Sequence, residues 1–109
     1  MRATRSRVFY SREYTNALFS KLCFYMEGGY CFFKVTTGED HGGLNCRARP
    51  SLRSSVVEIV PKGDYVSVID FTIGKKRRAF FTVVHDDGRT CYMRATQSRL
   101  SYYYFETEG

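Results

Sequence analysis

Apolar side chains recur at Tyr14, Leu18, Leu22 and Tyr25, at spacings of four, four and three residues, and Ala17 and Met26 widen the stripe. That period puts them on one side of a helix, so a single-faced amphipathic helix is predicted over about 11–27. Ser11 suits the N-cap, Glu13 falls in the first turn where the helix dipole favours an anion, and Gly28-Gly29 provides the stop. Beyond Gly29 the period changes. Residues 30–37 are rich in β-formers, 38–43 is a glycine-rich loop, and 44–48 reads as the returning strand of a hairpin. Residues 54–60 form another strand, closed by the turn signal Pro61-Lys62-Gly63-Asp64. From Tyr65 to Ile73 the pattern alternates strictly, with Tyr65, Ser67, Ile69, Phe71 and Ile73 on one face. A return strand over 78–85 follows a basic tip at 74–77, and Asp86-Asp87-Gly88 turns the chain into strands over 89–96 and 99–107.

No strand–helix alternation follows the first helix, so the strands must pair mainly antiparallel. The fold class expected is α+β: one N-terminal amphipathic helix packed on a mostly antiparallel meander of about five or six strands, with a half-barrel as the curled variant. A chain of 109 residues has the size of one domain, with 1–8 as a basic arm, 11–27 as helix and 30–107 as sheet.

Charge sharpens the functional reading. There are 17 Lys and Arg against 11 Asp and Glu, a net charge of +6 and a pI near 9.3. Twelve of the cations are Arg, whose planar fork matches phosphate and carboxylate. The cations cluster at Arg2, Arg5 and Arg7; at Arg47, Arg49 and Arg53; at Lys75, Lys76, Arg77 and Arg78; and at Arg89, Arg94 and Arg99. Aromatic residues make up 17% of the chain, which argues against disorder. One helix can cover only one face of a sheet, so Tyr92, Tyr102, Tyr103 and Tyr104 are candidates for accessible rings, with Phe32 and Phe80 beside them.

Basic loops with exposed rings are how single-stranded nucleic acid is held. The expected function is therefore non-enzymatic binding of single-stranded DNA or RNA. Arg2, Arg5, Arg7, Arg47, Arg49, Arg53, Lys75, Lys76, Arg77, Arg78 and Arg94 would contact phosphate, and Tyr92, Tyr102, Tyr103 and Tyr104 would stack on bases. The run Tyr65-Val66-Ser67-Val68-x-Asp70-Phe71 with its basic turn is similar to a segment of the coactivator-type single-stranded DNA-binding domains, which carry their helix after the sheet. The order of helix then antiparallel strands also loosely resembles small RNA-binding subunits of the signal recognition particle, which end in a second helix. The same surface features fit a protein-interaction module, such as a viral or phage inhibitor or adaptor, or a homodimer formed through sheet aromatics. A metal-independent ribonuclease using His41 or His85 is the third reading.

The four cysteines, Cys23, Cys31, Cys46 and Cys91, match no zinc spacing. With no signal peptide visible, the expectation is reduced thiols in an intracellular protein, with no cofactor and no membrane span. A metal site is conceivable only if strands gather Cys31, His41, Cys46, His85 and Cys91.

Overall fold

The computed structural model describes residues 12–23, 30–37 and 42–103. Over these, one α-helix, α1 (Asn16–Leu22), precedes seven strands: β1 (Cys31–Val35), β2 (Gly43–Arg47), β3 (Val56–Pro61), β4 (Tyr65–Ile73), β5 (Ala79–Val84), β6 (Thr90–Arg94) and β7 (Leu100–Tyr102). The helix is shorter than the periodicity predicts. Its N-cap is Thr15, whose hydroxyl accepts from the Leu18 N–H at 3.1 Å; the predicted cap Ser11 and stop Gly28-Gly29 lie outside the described residues. Glu13 is not in the first turn. It sits on the sheet opposite Thr96, where its carboxylate accepts from the Ala79 N–H and from Arg94, and these two donors outcompete the dipole of a seven-residue helix. Backbone bonds from Tyr14 N to Ala95 O and from Gln97 N to Arg12 O hold the same stretch extended.

The helix's buried residue is Phe19, which the predicted stripe omits, while Leu18 and Leu22 are half-buried and Ala17 is exposed. Phe19 stacks on Phe71 and packs tilted against Phe81. Phe81 also meets Tyr14 and Phe33, so these rings form the centre of the core. The Tyr14 hydroxyl donates to Leu100 O at 2.6 Å, and burial pushes its pKa up to about 12.

All strand pairs are antiparallel, in the order β3-β2-β6-β5-β4-β1-β7, and the sheet is open. The predicted sequential pairing holds for β2–β3 and for β4–β5–β6. The expected hairpin between 30–37 and 44–48 does not form: β1 lies between β4 and β7, and β2 between β3 and β6. Residues of β1 alternate buried and exposed, and β1 obtains long-range partners on both sides that a local hairpin would not supply. Pro61–Asp64 is likewise no hairpin, since β3 and β4 are four strand positions apart. A flat sheet would separate them by about 19 Å. The four steps from Pro61 to Tyr65 reach about 14 Å at most. The sheet therefore curls, and the turn is clamped between strand ends by bonds from Gly63 N to Val35 O, Val35 N to Asp64 O and Lys62 N to Gly42 O.

The cysteines are not free thiols. Cys23 pairs with Cys31, tying the end of α1 to β1, and Cys46 pairs with Cys91, tying β2 to β6. Both pairs have Cα atoms 5.5 Å apart, inside the range a disulfide needs. Spacing along the chain carries no trace of this, because strand order decides which cysteines meet.

Candidate functional site

Two loops at one end of the sheet build a strongly basic concavity. The first, 48–54, follows β2 and is folded by its own serines: Ser54 Oγ accepts from Arg49 N at 2.9 Å and Ser51 Oγ from Arg53 N at 3.2 Å. The second, 74–78, joins β4 to β5 through a 3₁₀ turn at Lys75–Arg77. In it Lys76 and Arg77 hold φ of 56° and 59°, left-handed values that cost energy for residues with a Cβ. The loops are locked together where Lys75 N bonds Pro50 O, and Gly74 makes that approach possible: a Cβ there would stand 2.0 Å from Pro50 O.

Between them lies an open cleft of about 540 Å³ lined by Arg49, Arg53, Lys75, Lys76 and Arg78, with Ser51, Ser54 and Leu52. Among the described residues, no carboxylate and no aromatic ring lines it. Five cations around one cavity repel one another, and an anion entering it relieves that repulsion. Arginine forks and serine hydroxyls suit carboxylate oxygens, and Leu52, 39% exposed, adds an apolar contact.

The cleft gathers five of the cations singled out in sequence. The remaining ones are elsewhere. Arg47 donates to Ser54 O at 2.8 Å and so braces the first loop from behind. Arg94 is half-buried, pairs with Glu13 and lies 5.9 Å from the Phe80 ring centroid; burial lowers its pKa against the opposing pull of Glu13. Arg77 does not line the cleft, and Arg2, Arg5, Arg7, Tyr104 and His41 lie outside the described residues.

The rings do not share this surface. Phe80 is fully buried, Tyr92 is half-buried, and Tyr102 packs edge-on to Phe33. Tyr103 is exposed and meets Tyr65 at 4.7 Å, with Lys34 over the Tyr65 ring and Phe32 exposed nearby on β1. That patch sits at the start of β4, whereas the cleft lies beyond its end, nine residues or about 30 Å along the strand. Tyr65 and Lys34 were missed as surface partners. Their signal was the alternation of β1 and β4, which places Lys34 opposite Tyr65.

Of the residues weighed as metal ligands, Cys46, His85 and Cys91 converge, but the two sulfurs are bonded to each other and Cys31 is bonded to Cys23. His85 Nε2 lies 2.8 Å from Glu58 Oε1, in an open groove that Arg89 also lines. Arg89 is held by Asp87 at 2.7 Å, and its two hydrogen bonds keep the Asp87 carboxyl below the usual range.

A model of the bacterial SH3 domain family matches residues 42–97, more than half of the chain. The chain belongs to that family. No curated protein and no solved structure matches it. The bacterial SH3 segment runs from just before β2 to just after β6 and contains both loops of the basic cleft. Family membership overturns the nucleic-acid reading and the viral origin weighed beside it: bacterial SH3 domains are modules that bind proteins or peptidoglycan. The likeness to single-stranded DNA-binding domains rested on one alternating strand and a basic turn, a pattern common to many curled sheets. The protein-partner alternative is the one this membership favours. No helix among the described residues is long and apolar enough to cross a membrane.

Proposed function

We propose that this bacterial SH3 domain is a non-enzymatic binding module that holds a carboxylate-bearing peptide in the cleft between residues 48–54 and 74–78. The observation that carries the reading is the coincidence of the family segment, 42–97, with the cavity where, among the described residues, five cations meet no acid. Such a cleft takes an extended acidic stretch, either of a partner protein or of the peptide stems of peptidoglycan, both of which offer carboxylates to arginine forks. Proline-rich peptides need an aromatic-lined groove, and none of the residues around this cavity is aromatic. Two disulfides favour an oxidising compartment over the intracellular setting first expected.

Co-sedimentation with purified peptidoglycan and capture on an immobilised glutamate-rich peptide test the reading in parallel. Retention on either, lost in Arg53→Glu/Lys76→Glu, supports it and tells the two sources apart. Equal retention of that variant on both would overturn it.

A further inference from the structure

Three strands bring a second, unrelated set of donors together beside the Cys46–Cys91 disulfide. Glu58 comes from β3, His85 follows β5, and Cys91 lies in β6; their ligand atoms all fall within 4.8 Å of one another. His85 Nε2 is 2.8 Å from Glu58 Oε1 and 3.4 Å from Cys91 Sγ. Cys46 Sγ, bonded to Cys91, places a fourth donor at the same point.

We propose that opening of this disulfide by a dithiol reductant converts the four groups into a zinc site: two thiolates, one imidazole and one carboxylate. The reductant closes to its own disulfide and delivers two electrons and two protons, which leave Cys46 and Cys91 as thiols. Zinc then displaces those two protons as it binds, and His85 and Glu58 supply the remaining lone pairs. In tetrahedral zinc, with bonds of about 2.3 Å to sulfur and about 2.05 Å to nitrogen, the sulfur–nitrogen edge is about 3.5 Å. The observed 3.4 Å is already close to it. The nitrogen–oxygen edge must open from 2.8 Å by roughly half an ångström. Glu58 can make that adjustment, because its side chain is 42% exposed. The sulfurs separate by side-chain rotation once their bond is broken. Metal enters through the open groove of about 450 Å³ that Glu58 and His85 line. Disulfide and zinc thus act as alternative staples between β2 and β6, one for an oxidising and one for a reducing setting. No sequence spacing announces the site, since each ligand comes from a separate segment of the chain.

The test uses the full chain carrying Cys23→Ser/Cys31→Ser, so that Cys46–Cys91 is the remaining pair. The protein is reduced with a phosphine, freed of it without air, and titrated with Zn²⁺ against a chromophoric chelator, and separately with Co²⁺. Expected are one equivalent of metal, a thiolate-to-cobalt charge-transfer band with tetrahedral d–d bands, and affinity about 100-fold weaker in His85→Ala. Glu58→Gln should weaken it about tenfold, and the oxidised protein should bind none. If reduction unfolds the apo-chain, zinc must restore its β-sheet circular dichroism. Absence of uptake by the reduced chain, failure of zinc to restore a lost fold, equal uptake by the oxidised chain, or affinity indifferent to both His85→Ala and Glu58→Gln would each overturn the site.

Discussion

Glu13 adds a side-chain clamp to the backbone bonds that fasten the segment before α1 to the sheet, and Glu13→Ala measures that clamp. Two groups lose their partner in the variant. The Ala79 N–H, on a fully buried residue, loses its acceptor at 3.0 Å. An unsatisfied buried donor costs about 1–3 kcal/mol. The Arg94 guanidinium, whose side chain is 17% exposed, keeps its charge, and its Nε has no partner among the described residues even with Glu13 present. Stranding a fully buried charge costs about 3–5 kcal/mol. Glu13 and Arg94 both retain some contact with water, so a share of about 1–2 kcal/mol is reasonable for the lost pairing, and the sum is about 3 kcal/mol. For a domain of this size that lowers Tm by roughly 12 °C. Glu13→Gln keeps an acceptor for Ala79 and should lose only about 1 kcal/mol. Equilibrium urea unfolding at pH 7, with the slope unchanged between variants, gives both numbers. A loss below about 1 kcal/mol for Glu13→Ala would refute the claim that this carboxylate holds the segment down.

Three further outcomes follow from the core and the cleft. Phe81→Ala removes a fully buried ring that touches Tyr14, Phe19, Phe33 and Phe71, and thermal or urea unfolding should show a loss of about 4 kcal/mol. Tyr14 keeps its proton in the folded state until about pH 12 but gives it up near 10 when unfolded. The contribution of Tyr14 to stability should therefore be intact below pH 10 and fall between 10 and 12, by about 1.4 kcal/mol for each pH unit, and that contribution should be absent in Tyr14→Phe. Gly74→Ala forces a Cβ to within 2.0 Å of Pro50 O, which must push the two loops apart. Peptide affinity should drop about tenfold or more while the circular dichroism of the sheet is retained, and unchanged affinity would show that the loops need not touch.

What the sequence disclosed and what it hid divide along one physical line. Local signals were legible: the strand over Tyr65–Ile73, the basic turn at 74–77, the return strand and the Asp86–Gly88 turn all lie where the pattern put them, but the alternation of that strand breaks at a bulge between Val68 and Asp70, which turns Phe71 onto the core face with Val66 and Val68. Long-range pairing was not. The pattern of β1 fits a neighbour on either side equally well, so nothing in residues 30–48 could reveal that β1 pairs with β4 and β7 while β2 joins β3 and β6. The disulfides followed the strand order and were invisible for the same reason. The helix was misjudged because Tyr14 and Phe19 are both buried, yet Tyr14 is buried as extended chain. Charge clustering was informative about place and misleading about partner. Arg49 and Arg53 do meet Lys75, Lys76 and Arg78, but cations recognise carboxylate and phosphate by the same forks, and the family membership decides against nucleic acid.

The most direct test is the affinity of a fluorescent glutamate-rich peptide for this bacterial SH3 domain, followed by anisotropy across a range of salt. Binding through the cleft should weaken steadily as salt rises and fall at least tenfold in Arg53→Glu/Lys76→Glu, with the fold intact by circular dichroism. The same reversal applied to Lys34→Glu, on the distant aromatic patch, should leave affinity within about twofold. Binding that ignores both salt and the cleft reversal, or that is lost with Lys34→Glu instead, would contradict the assignment of the cleft between 48–54 and 74–78 as the ligand site.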